Sequence, residues 1–260
     1  MGAGARPSAH PSRLDRVGVQ LYTVRSLMAE DVERTLEAVA AIGYREVEFA
    51  GYFERTPAGL RATLDGLGLE APATHYGLNV FRDRLDEAIE VSATLGHRYL
   101  VLPSLPTAER STLDDYLRLF DEMNRIGEAC GRAGLGFAYH NHALEFEPTG
   151  GAVPFDLLLE RTDPDLVHVE IDLFWTVEGG GDPLAYFEAH PGRFRLCHVK
   201  DRTPDGTMVD VGKGVIDFRA IFDRSAQAGF EHYFVEHDQP ADPLASISAS
   251  FDHIAAMSDG

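Results

Sequence analysis

AAIGYREVEF, residues 40–49, reads as the end of a helix, a glycine and then a β-strand. Ala40, Ala41 and Ile42 finish a helical pattern. Gly43 supplies the left-handed conformation that turns the chain back, and REVEF alternates charged and apolar residues as a half-buried strand does. The same order recurs in ATLGHRYLVL at 93–102, RAGLGFAYH at 132–140 and QAGFEHYFVE at 227–236. Working outward, β-branched or aromatic runs begin near Val17, Arg45, Ala71, Arg98, Gly136, Val167, Arg193 and His232. Helical stretches separate them. Glu30–Ile42 carries Val32, Leu36, Val39 and Ile42 on one face; Thr112–Arg132 carries Leu113, Leu117, Phe120 and Ile126.

Strand and helix thus alternate eight times without a break in composition. In a chain of 260 residues this predicts a single closed α/β structure, a (β/α)8 TIM barrel with its strands in sequence order. A doubly wound sheet competes, but no GxGxxG turn follows the first strand. Helix starts carry caps: Ser111 or Thr112, Asp182-Pro183 and Asp242-Pro243. Residues 1–15, MGAGARPSAHPSRLD, read as a flexible tail without a signal core, which leaves 16–260 as one catalytic domain and predicts a cytoplasmic protein.

With 44% hydrophobic and 25% charged residues, the composition is that of a globular chain, and no apolar run reaches the ~20 residues that a membrane helix requires. Acidic residues outnumber basic ones by 42 to 23, a net charge of −19. That excess argues against phosphate-backbone binding and hence against a nucleic-acid partner. Cys130 and Cys197 cannot make a disulfide framework or a four-thiolate zinc site, and read as small apolar fillers.

In a barrel of this kind the carboxyl ends of the strands build the site. The residues closing each run are Gln20, Glu48, His75, Pro103, His140 and His142, Asp172, His198 and Lys200, and Glu236. Packing does not explain charge confined to one end of apolar strands, because unpaired buried charge is costly. Carboxylates and imidazoles are donors that a divalent cation takes. Alternation places His168, Glu170 and Asp172 on one face of HVEID, His198 and Lys200 on one face of CHVK, and His140 and His142 together in YHNH.

VGVQLYTVR, EDVERTLEAVAAIGYREVEF, YHNHALEF, EIDLFWTVEGGGDP, RLCHVKD, VGKGVIDF and YFVEHD, in that order from about Val17 to Ile254, resemble the sugar phosphate isomerase/epimerase family of xylose-isomerase-like TIM barrels. The resemblance implies one divalent cation (Mn, Mg, Zn or Co) held at the ends of strands five to eight. Carried over, the sixth-strand Asp falls on Asp172, the seventh-strand His on His198 and the eighth-strand Glu on Glu236. The fifth strand departs from the sugar epimerases, with His140 where they carry Glu and Glu145 just beyond. Either residue can complete the metal set. Family members with YHNH include dehydratase-like enzymes that eliminate from keto-sugars.

A cation that chelates a carbonyl and a neighbouring hydroxyl acidifies the C–H between them, giving an enediolate, and a base must then move the proton. Glu236 is the first candidate, with His142 or Glu145 for the opposite face. Lys200 and Arg202 suit a substrate oxygen or phosphate, and Glu48, His75 and Trp175 suit contacts to a sugar. The expected activity is isomerisation or epimerisation of a small carbohydrate, with β-elimination from a 3-keto-glycoside or inosose-like substrate as the alternative. A non-catalytic sugar-binding barrel would hold no metal, and a repair endonuclease of the same superfamily would need three metals and basic contacts. A homo-oligomer is compatible with the sequence.

Overall fold

The computed structural model describes residues 16–258; the tail read at residues 1–15 lies outside the described residues. Eight parallel strands close into a barrel: β1 Gly18–Gln20, β2 Glu46–Phe49, β3 Glu70–His75, β4 Tyr99–Leu102, β5 Gly136–His140, β6 Val167–Asp172, β7 Phe194–Val199 and β8 His232–Val235. Each strand pairs with its sequence neighbours, and β1 closes on β8. This is the TIM barrel expected from the repeating helix–glycine–strand pattern.

The helix exits work as read: Gly43, Gly96, Gly134 and Gly229 all have positive φ. The first long helix begins later than its pattern, at Val32, because the Asp31 side chain accepts the Arg34 N–H and caps it. A separate short helix, Arg25–Glu30, precedes it. The helix Leu113–Arg132 starts on a capping box between Thr112 and Asp115. It lies close to the turn into β6 at Gly127, where any Cβ would collide with the Leu166 carbonyl.

One apolar layer lies between strands and helices. The barrel interior holds a second, smaller cluster of Ala73, Tyr99, Val101, Ala138, Leu196 and Phe234. Cys130 and Cys197 are buried and unpaired. After β7, Asp201–Arg202 pairs with Met208–Val209 in a small antiparallel hairpin that the strand pattern did not foretell. Asp201 grips the loop that follows: its carboxylate accepts the N–H groups of Gly212, Gly214 and Ile216 at 2.9, 2.9 and 3.2 Å. Among the described residues no helix is long and apolar enough to cross a membrane.

His97, before β4, donates from Nδ1 to the Ala71 carbonyl at 2.6 Å and accepts at Nε2 from the Tyr52 hydroxyl at 3.1 Å. Burial pushes its pKa down to about 4, despite the carbonyl contact. The folded state therefore prefers neutral His97, so this contribution is complete above the unfolded value of about 6.5 and fades as pH falls toward 4. Urea unfolding at about pH 7 and about pH 4.5 should show a loss on the order of 2 kcal/mol from this residue. In His97→Gln the pH dependence should be shallower by that amount; an unchanged slope would discard the assignment.

Candidate metal centre and active site

Strand register assembles the site. His140 lies beside Glu170 across β5–β6, Asp172 beside His198 across β6–β7, and Gln20 beside Glu48 across β1–β2. Because each of these side chains points inward, the C-terminal mouth of the barrel collects Glu48, Glu170, Asp172 and Glu236 together with His75, His140, His198 and Lys200. All four carboxylates are buried, so the cationic partners are obligatory.

Those partners are close. His198 Nδ1 is 2.8 Å from Glu236, and its Nε2 is 2.7 Å from Glu48. His75 Nε2 is 2.8 Å from Glu170 and 3.3 Å from Glu48. Lys200 Nζ lies 3.0 Å from Asp172, 2.7 Å from Glu236 and 2.8 Å from Asp238. Burial opposes charge on every one of these groups, and the neighbours decide the outcome. Glu48 and Glu170 raise His75 to about 9 against its burial. Burial raises the pKa of Glu236, but Lys200 and His198 outweigh it and hold the carboxyl well below its usual range. For Asp172 burial wins over Lys200 and His198, leaving it at about 6. His140, buried and next to His198, is pushed well below the usual imidazole value. His142 falls to about 4 through burial and the nearby Lys200 charge.

The mouth opens into a cavity of about 470 Å³ lined by His75, His140, His142, Lys200, Glu236 and Asp238, with Tyr22 and Gln239 among the residues around it. Its carboxylates, Glu236 and Asp238, are both tied to Lys200; three imidazoles and the Tyr22 phenol complete its titratable lining.

Two loops fix the donors. Asn141 donates to Thr176 Oγ1 at 3.1 Å and accepts the Asp172 N–H at 3.0 Å, locking the end of β5 to the end of β6. Asp172 uses Oδ1 to cap the helix Leu173–Glu178 through the Trp175 N–H, which turns Oδ2 toward the cluster. Oδ2 has no aligned hydrogen bond despite Lys200 nearby. Asp172, His198 and Glu236 each offer a donor atom within 4.8 Å of the others. An under-coordinated buried carboxylate oxygen, an imidazole and a second carboxylate are a donor set for a divalent cation, and the residues fit one. His140 Nε2 lies 3.7 Å from Asp172 Oδ2, beside this trio.

Glu145, expected as a metal ligand or proton carrier, is elsewhere. Its carboxylate accepts the Tyr139 hydroxyl at 2.6 Å and the His142 N–H at 2.7 Å. Tyr139 points outward where His140 points inward, so Glu145 is drawn behind the strand and buried there. Of the expected substrate contacts, His75 and Lys200 line the cavity. Glu48 sits below it, bonded to Gln20. Trp175 backs His142 at 5.6 Å between ring centroids, and Arg202 pairs with Glu178 at 2.9 Å. Glu170 and Asp238 were missed as site residues. Alternation signals both: Glu170 lies two positions before Asp172, and Asp238 two after Glu236.

The chain belongs to the xylose isomerase-like TIM barrel family, whose model matches residues 36–257. It is 26% identical to an inosose dehydratase of Geobacillus kaustophilus, covering 78% of each chain. The crystal structure of a sugar phosphate isomerase/epimerase from Parabacteroides distasonis superimposes with a TM-score of 0.83 at 26% identity, covering 98% of both chains. A zinc-bound IolI protein shares the fold, with a TM-score of 0.75 at 16% identity over 94% of this chain and 97% of that one.

Asp172→Ala should lower bound zinc-class metal by one equivalent per chain, read by elemental analysis after dialysis. Asp172→Asn, which keeps an acceptor for the Trp175 N–H, should retain near wild-type thermal stability and still lose that equivalent. Unchanged metal content in both would remove Asp172 from the ligand set.

Proposed function

We propose that the protein is a divalent-metal-dependent carbon–oxygen lyase that eliminates water from a cyclic keto-sugar or inosose-like polyol. The observation that carries this reading is the diversion of Glu145 onto Tyr139, which leaves imidazoles to serve as the proton carriers away from the Glu236 wall. The name of the inosose dehydratase relatives supports the substrate class. The −19 net charge is consistent with a small neutral carbohydrate and with no nucleic-acid partner.

Asp172, His198 and Glu236 would hold the ion, which when bound supplies a Lewis acid that polarises a substrate carbonyl and acidifies the neighbouring C–H. His142 is neutral at physiological pH and lines the cavity, so its imidazole can accept that proton. The resulting imidazolium then returns the proton to the hydroxyl one carbon further on. The C–O bond breaks, a C=C bond forms in conjugation with the carbonyl, and water leaves. Lys200, charged and held by Asp172, Glu236 and Asp238, can donate to a substrate oxygen.

A second reading, isomerisation or epimerisation of a sugar, is favoured by the likeness to the Parabacteroides distasonis isomerase/epimerase and by Glu236 and His142 lining the same cavity. Incubation in deuterated water with a panel of inososes and 3-keto-glycosides separates the two. Elimination gives a conjugated enone absorbance and one released water; epimerisation gives a deuterated isomer of unchanged composition. His142→Gln should lose about 100-fold or more in turnover with its metal content retained. Full activity in that variant would take His142 out of the reaction.

A further inference from the structure

Beneath the Asp172–His198–Glu236 trio lies a second donor set: His75, His140, Glu170 and His198 present atoms that all fall within 4.8 Å of one another. One carboxylate oxygen, Glu170 Oε2, lies 2.8 Å from His75 Nε2, 3.2 Å from His140 Nδ1 and 3.2 Å from His198 Nε2. Bonds of about 2.0–2.1 Å to a tetrahedral zinc-like ion separate neighbouring ligand atoms by about 3.3 Å. Three imidazole nitrogens around one oxygen at these spacings resemble the corners of such a site.

Hydrogen bonding accounts for the cluster less well. His140 Nδ1 makes no aligned hydrogen bond although Glu170 is 3.2 Å away, and Glu170 Oε1 and Glu48 Oε1 are also left without one. All three atoms are buried. His198 is common to both donor sets, and His140 stands beside the outer one. His198 aims Nδ1 at Glu236 and places Nε2 between Glu48, at 2.7 Å, and Glu170, at 3.2 Å, while His140 has Nδ1 near Glu170 and Nε2 near Asp172.

We infer that the barrel holds a second divalent cation of the zinc class in a closed, deeper site made by His75, His140, Glu170 and His198, with His198 bridging it to the outer site as an imidazolate whose remaining ring proton is released to solvent when the second ion binds. Three nitrogens and one oxygen select against magnesium and calcium, which take oxygen ligands. Four protein donors leave no open position, so the deep ion is structural: it fixes the ring of His198 from below. The bridging part of the inference rests on the outer site proposed above; the deep site does not.

The test is metal stoichiometry on the full chain, stripped with a chelator and reloaded with Zn2+. The wild type should saturate at two equivalents, released in two steps by a competing chelator. Glu170→Gln, which keeps side-chain volume, and Asp172→Ala should each saturate at one, with wild-type far-UV circular dichroism. A single wild-type equivalent that disappears in Asp172→Ala overturns the inference, since a protonated histidine then balances the inner carboxylates. A single equivalent kept in Asp172→Ala and lost in Glu170→Gln supports the deep site and overturns the outer one and the bridge. The chelator titration needs no variant, so poor folding of Glu170→Gln does not rescue a wild type that binds one ion.

Discussion

Four carboxylates buried at one end of a narrow barrel are the constraint around which the rest of the structure is arranged. Glu48, Glu170, Asp172 and Glu236 are withdrawn from water, and each would carry a penalty of several kcal/mol if left unpaired. Lys200 is the single buried side chain among them whose charge does not depend on an imidazole proton. The balance must come from protonated imidazole or from bound cations. His75 and His198 sit where either serves, since the nitrogen that donates to a carboxylate when protonated points at the same place as a ligating lone pair.

Holding the donors in register falls to groups outside the cavity. Asn141 ties two strand ends together, and Asp172 divides its oxygens between a helix cap and the cluster. Glu145 performs a similar service from behind: buried between Tyr139 and the His142 backbone, it sets the direction in which the chain leaves β5. A residue read as chemistry turns out to position chemistry. His142 reaches the cavity because the turn beneath it is anchored at both ends.

The barrel was legible because two local signals, period-two alternation and the glycine after each helix, recur along the chain without conflict. The inward residues of β5 to β8 followed from the same alternation. Glu145 did not, because its place depends on a tyrosine hydroxyl on the far face of the strand, a contact that no spacing rule encodes. Arg202 pairs with Glu178 at the end of the helix Leu173–Glu178, a contact that likewise depends on how the chain folds back after β7. Glu170 was visible beside Asp172, but its partner His75 comes from a strand nearly a hundred residues earlier, and only closure of the barrel brings them within 2.8 Å.

The grip of Asp201 on the loop that follows β7 has an evolutionary side. Its carboxylate holds backbone N–H groups, which every residue except proline provides, so the loop stays in place whatever side chains it displays. Only the small residues are pinned: a Cβ at Gly214 would strike Asp201 itself, and Gly212 has φ of 88°. The exposed turn at residues 204–207 can therefore change in sequence and in length while Met208–Val209 stay paired and the neighbouring Lys200 keeps its place. Natural variation in this group of proteins should concentrate there, making the segment a ready graft point for altering what the barrel mouth admits without rebuilding its floor.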